Sequence, residues 1–216
     1  MSSTVIARVA ALGAALLLLT SCTRYADDAR AVPGAELLAA VDSGESQCET
    51  VDAPLTTIPA QGTGEPVLKI PQPKGWERST KMDSEIIRFF MGNRDLGTPD
   101  FAPTAVVTLE SADGVADPEV VFSYQRSALE SHMKVTGFRS EDRTVCGSPA
   151  LFARYIMPQI GAVAPHPAEV LIVVLSTDDR TYVATVTTQT TAPNNPGYRR
   201  DSTAIISGFQ MLQPQA

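Results

Sequence analysis

Towards the end of the chain, the nearly continuous apolar run Glu169-Val-Leu-Ile-Val-Val-Leu-Ser176 is followed by the β-branched run Thr181-Tyr-Val-Ala-Thr-Val-Thr-Thr188. Thr177-Asp178-Asp179-Arg180 supplies a polar turn between them, so the pair predicts a hairpin in the middle of a sheet. Apolar patterning predicts further strands at Val67–Ile70, Glu85–Met91, Thr104–Glu110 and Thr144–Met157, and extends the second hairpin strand to Thr190. Two helices have clear starts. Asp117-Pro118-Glu119 places a capping carboxylate, a proline at the first helical position and an acid in the first turn, ahead of Val121, Tyr124 and Ala128 on one face. Asn195-Pro196 repeats the device before Tyr198, Ile205, Phe209 and Leu212, although Gly197 and Gly208 weaken this second helix. An apolar hairpin needs a cover and the two helices are available for it. The fold class expected is therefore α+β, an antiparallel β-sheet flanked by helices.

A different pattern opens the chain. Arg8 precedes an eleven-residue apolar run, Val9 to Leu19, and small residues follow, which together are the parts of a secretory signal peptide over residues 1–21. Leu19-Thr20-Ser21-Cys22 resembles the bacterial lipobox, and that resemblance implies a diacylglyceryl group on the Cys22 sulfur with cleavage before Cys22. The competing readings are an ordinary secretory signal, which has no need of a cysteine there, and a membrane-spanning helix, which needs roughly 20 apolar residues. Two acyl chains, at about 0.8 kcal/mol per buried methylene, suffice for stable attachment. The expected partner of the lipid is thus a membrane. Residues 22–63, rich in Ala, Gly, Ser, Asp and Thr, are expected to form a mostly disordered tether, and 64–213 a single domain.

Removing the signal peptide removes one arginine and no acid, so the mature body is more acidic than the whole chain, whose formal charge is −7. That sign argues against nucleic acid and anionic lipid headgroups as partners. With Cys22 assigned to the lipid, Cys48 and Cys146 remain. Export to an oxidising compartment makes a disulfide between them the default expectation, with unpaired thiols or a metal site as alternatives. Metal is the weaker of these, because no histidine lies near either cysteine in sequence.

Four short motifs, in order, carry a family likeness: the lipobox, Pro71-Gln-Pro-Lys-Gly-Trp76, the Asp117-Pro118 helix start, and Gly147-Ser148-Pro149-Ala150 running into Ala153-Arg154-Tyr155. Over roughly residues 64–212 the chain resembles the actinobacterial LpqN/LpqT lipoprotein family. The resemblance implies a fold of the Mog1/PsbP type, an α/β/α sandwich. It also implies a place in a mycobacterial-type cell envelope, with the protein anchored by its lipid on the extracytoplasmic face of the plasma membrane, and no catalytic residues.

The residues themselves suggest no catalytic set, metal or cofactor. His132 falls near the end of the first helix, and His166, between Pro165 and Pro167, is expected on an exposed, stiffened loop. Neither has a partner at metal-ligand spacing, and neither a Gly-x-Ser-x-Gly elbow nor a phosphate-cradling glycine loop occurs. Asp27-Asp28, Glu141-Asp142 and Asp178-Asp179 lie in polar segments and read as solvated turns, while Trp76 is expected to anchor the sheet against the core. The function expected is a non-enzymatic binding module for an envelope lipid or glycolipid, or for an envelope-biogenesis protein, through an apolar groove between the sheet and a helix. A divergent hydrolase and a surface antigen or host-interaction protein are the alternatives.

Overall fold

The computed structural model describes residues 47–215. The lipobox, Cys22, the Asp27-Asp28 pair and the first part of the expected tether lie outside them. Ten strands and two helices follow in the order β1 (Leu55–Ile58), β2 (Val67–Pro71), β3 (Glu77–Arg78), β4 (Ile87–Gly92), β5 (Thr104–Asp113), α1 (Pro118–Ser131), β6 (Thr136–Val145), β7 (Ser148–Met157), β8 (His166–Ser176), β9 (Arg180–Gln189), α2 (Pro196–Ser207) and β10 (Gln210–Leu212). A seven-stranded antiparallel sheet has the order β3-β4-β5-β9-β8-β7-β6, and a three-stranded sheet the order β1-β2-β10. The expected α+β class is borne out, and the β8–β9 hairpin occupies the middle of the large sheet.

Because side chains alternate across a strand, each central strand feeds two cores. On one face Phe152, Leu171, Val173, Ala184, Val186, Ala105 and Val107 meet Ile205 and Ile206 of α2 together with Leu68, Ile70 and Met211 of the small sheet. On the other, Leu151, Ala153, Tyr155, Ala168, Val170 and Ile172 meet Phe122 and Leu129 of α1. Trp76 is buried in the first core as expected, and its indole Nε1 donates to Asp201 Oδ2 at 3.0 Å. Both helix starts form as read: Asp117 accepts from the Glu119 amide at 2.9 Å, and Asn195 Oδ1 from the Gly197 and Tyr198 amides at 2.9 and 3.3 Å.

Four features differ from the pattern. Thr144–Met157 is not one strand, because a two-residue turn at Cys146-Gly147, with φ of 49° and 85°, separates β6 from β7. Positive φ at both central residues matches the twist that a tight hairpin requires, and glycine takes it without strain. The second helix stops at Ser207 rather than reaching Leu212. A Cβ at Gly208 would run into Val51 and Pro71, and beyond it Gln210–Leu212 pairs with β2. On α1 the buried residues are Phe122 and Leu129, whereas Tyr124, read as part of the apolar face, is exposed. Finally, β1 lies inside the 22–63 stretch read as tether, so the ordered body takes in residues before 64.

Cys48 and Cys146 form a disulfide that fastens the start of the described chain to the β6–β7 turn, across a sequence separation of 98. A second clamp holds the β1–β2 loop. Arg88 of β4, with a side chain only 3% exposed, donates through Nη1 and Nη2 to both carboxylate oxygens of Glu65 at 3.0 and 2.6 Å and through Nη2 to the Pro59 carbonyl. Burial alone would push the Glu65 carboxyl up, but the guanidinium and the Gln61 and Gly62 amides outweigh it and hold it below its ordinary value.

Candidate functional site

Where α2 crosses the edge of its sheet face it no longer covers β7 and β8 completely. Arg154 of β7 stands opposite Glu169 of β8, and Glu169 opposite Thr188 of β9, so one cross-strand row delivers a base, an acid and a hydroxyl to the same place. Ser202 comes down on this row from α2. The result is a groove of about 350 Å³, walled by Arg154, Pro167 and Glu169 on the sheet side and by Pro193, Tyr198, Arg199 and Ser202 on the other.

Glu169 organises the floor. Its Oε1 accepts from Arg154 Nε at 2.9 Å, and its Oε2 from the Ser202 hydroxyl at 2.7 Å. Ser202 is also bonded to Thr188 Oγ1 at 2.8 Å, and both are fully buried. Burial pushes the Tyr198 phenol above its ordinary value; hydrogen bonds with Thr188 and Ser202 pull the other way, and the Glu169 charge adds to the rise. The phenol therefore remains neutral at physiological pH. Every buried hydroxyl on this row thus has a partner, as a rigid floor requires. Ser202 is held as a hydrogen-bond donor to a carboxylate, with no imidazole to take its proton.

The two histidines lie elsewhere. His132 is the exposed C-terminal cap of α1. His166, expected on an exposed loop, is instead the first residue of β8 and only 3% exposed. Its Nδ1 lies 2.8 Å from the Ala164 carbonyl oxygen and its Nε2 3.0 Å from Gln189 Oε1, with Phe101 tilted against the ring. It occupies the α1 face of the sheet, whereas Ser202 packs on the other, so the two cannot act together. Glu141 and Asp142 lie on the exposed strand β6, and Asp178 and Asp179 on the β8–β9 turn. Among the described residues no group of three His, Cys, Asp or Glu side chains is placed to hold a metal ion, and no helix is long and apolar enough to cross a membrane.

The groove departs from the sequence expectation in one respect. The expectation is an apolar groove between the sheet and a helix, whereas this one, though walled by sheet and helix, has a lining that is charged as well as apolar. Sequence reading missed Arg154, Glu169, Arg199 and Ser202 because each is ordinary in its own segment. The signal that could have found them is parity: Arg154 and Glu169 interrupt the inward-facing rows of Phe152 and Leu171, and residues in that row must face α2.

A crystal structure of LpqN from Mycobacterium tuberculosis, a protein involved in cell envelope biogenesis, superposes with a TM-score of 0.59 at 16% identity, covering 74% of this chain and 91% of that one. The Ran-binding protein Mog1p of Saccharomyces cerevisiae matches with a TM-score of 0.45 at 12% identity, over 73% of this chain and 95% of that one. No curated protein matches the sequence. The family described as probable lipoprotein LpqN matches residues 49–212, a span that takes in every strand and both helices, and the chain therefore belongs to the LpqN lipoprotein family.

Proposed function

We propose that this protein is a lipid-anchored, non-enzymatic binding module of the cell envelope. It is held through Cys22 on the extracytoplasmic face of the plasma membrane and receives an envelope lipid or glycolipid, or an envelope-biogenesis protein. The observation that carries this reading is the groove between α2 and strands β7 and β8, whose polar floor is hydrogen-bonded together and whose rim is open. Concave sites with a few fixed polar groups orient ligands. The Ser202 hydroxyl in the groove lining is committed to Glu169 and buried, which suits orientation rather than nucleophilic attack. Membership of a lipoprotein family agrees with the lipobox at Cys22, and the part played by the M. tuberculosis relative in envelope biogenesis supports an envelope role here.

Native mass spectrometry of the full chain, released from detergent after incubation with an envelope extract, tests the binding role. A retained lipid or a co-purifying envelope protein is expected, and a bare protein in every spectrum would refute it. Replacing Cys22 with Ala tests the anchor: the variant should appear in the medium, and retention in the membrane fraction would contradict lipidation.

A further inference from the structure

Although the chain is acidic, with a formal charge of −7, the rim of the groove is not. Arg139 of β6 lies directly opposite Arg154 of β7, on the same face. Like charges in directly opposed positions destabilise a sheet, so this pair needs a compensating reason. Arg143 is on that face too. Its guanidinium sits 4.1 Å from the centre of the Phe152 ring, and that of Arg154 lies 4.7 Å from the same ring. Arg199 completes the set from α2. Four arginines thus share this region with two carboxylates, Glu141 and Glu169, which pair with Arg143 and Arg154, giving a local surplus of positive charge.

Two of these donors are also held in place. Arg154 is braced by Phe152 and bonds Glu169 through Nε, which leaves its two terminal amino groups without a protein partner. Arg143 is braced by the same ring and by Glu141. The side chains of Arg139 and Arg199 have no partner among the described residues. Guanidinium N–H groups fixed in a plane match the oxygens of a phosphate or carboxylate, and stacking on an aromatic ring reduces the entropy lost on binding. Beside them the rim turns apolar: Pro167 and Pro193 line the groove, and Ile156, on the same face of β7, is 38% exposed.

We infer that this groove, as the site of the binding function proposed above, recognises an anionic headgroup of the phosphate class, held between Arg154 and Arg199 with Arg139 and Arg143 at the rim. The overall acidity of the chain argues against anionic headgroups, but exposed charges are screened beyond about 8 Å at physiological salt, and beside this groove the arginines outnumber the carboxylates. The acidic remainder of the surface then acts against anions elsewhere, so binding is confined to this edge.

The test is isothermal titration of the full chain in neutral detergent with three probes: dihexanoylphosphatidylglycerol, inorganic phosphate and the uncharged octyl glucoside. Phosphatidylglycerol should bind, about ten-fold more weakly in Arg154→Gln and in Arg199→Gln, with no change in Arg180→Gln, whose guanidinium pairs with Asp113 away from the groove. Raising the salt should weaken it further. Inorganic phosphate bound as tightly, and lost in the same variants, would keep the anion site but remove the lipid as its source. Octyl glucoside bound equally well in all variants, with no phosphate-bearing probe bound, would overturn the anionic inference and leave the binding module standing. If none of the probes binds, the inference fails; if the envelope extract also yields nothing, the wider reading fails with it.

Discussion

Helices α1 and α2 each begin with a capping Asp or Asn followed by proline, yet α1 buries only Phe122 and Leu129 while α2 buries Tyr198, Asp201, Ser202, Ile205 and Ile206. The difference comes from what lies beneath them. The core that α1 meets on the sheet is formed by apolar side chains and Tyr155, and the helix covers it with two buried anchors, leaving Val120 and Tyr124 in solvent. Below α2 the sheet offers Thr188 and Glu169 as well, and the helix answers with Ser202, while Asp201 takes the Trp76 indole. Similar caps start both helices, but tertiary partners decide which one carries the groove.

The α2 side is further closed by the small sheet and the disulfide, so the largest stability effects should fall there. Cys146→Ser should remove up to about 4–5 kcal/mol, the loop-entropy value for so long a closure, in denaturant unfolding. A loss below about 1 kcal/mol would mean that the leader is held by packing alone. Next, Ile205→Ala in the α2 core should cost about 4 kcal/mol, and Leu129→Ala, at the margin of the α1 core, about 2 kcal/mol. Equal losses would erase the contrast between the helices.

Glu65→Gln, which leaves the buried Arg88 guanidinium without a counter-charge, should cost about 3 kcal/mol at neutral pH. The Glu65 carboxyl is held below its ordinary value in the folded chain, so its contribution is complete above the ordinary glutamate range and is lost as pH falls through the folded value. The wild-type acid limb should therefore be steeper than that of the variant in thermal unfolding between pH 5 and the acid limit. Asp117→Ala and Asn195→Ala should each cost about 1 kcal/mol, because the two caps are alike even though the helices are not.

The features legible in the sequence were those that local chemistry enforces: the β8–β9 hairpin, the two Pro-containing caps and the burial of Trp76. The features that were not legible depend on pairing at a distance. Strand β6, Thr-Gly-Phe-Arg-Ser-Glu-Asp-Arg-Thr-Val, is almost wholly exposed at the sheet edge, so it has neither an apolar run nor alternation to announce it. Its charges are of the kind that protect an edge from further pairing. The Cys146-Gly147 turn was hidden because β-branched and apolar residues flank it closely. Strand β10 continued the helical spacing of α2 so well that only Gly208 and the pairing with β2 distinguish the two. His166 reads as a loop residue between prolines, yet its side chain fills a buried slot between Gln189 and Phe101. For the site, the lone Arg and Glu within apolar strands were visible as letters; what was missing was the register that sets them opposite one another beneath α2.

Backbone NMR of the full chain in neutral detergent, titrated with an envelope lipid extract, tests the assignment of the site most directly. Shift changes at Arg154, Glu169 and Tyr198 through Thr203, with the α1 positions Val120 and Tyr124 unmoved, are the expected result. Changes centred on α1, or none anywhere in the spectrum, would contradict it.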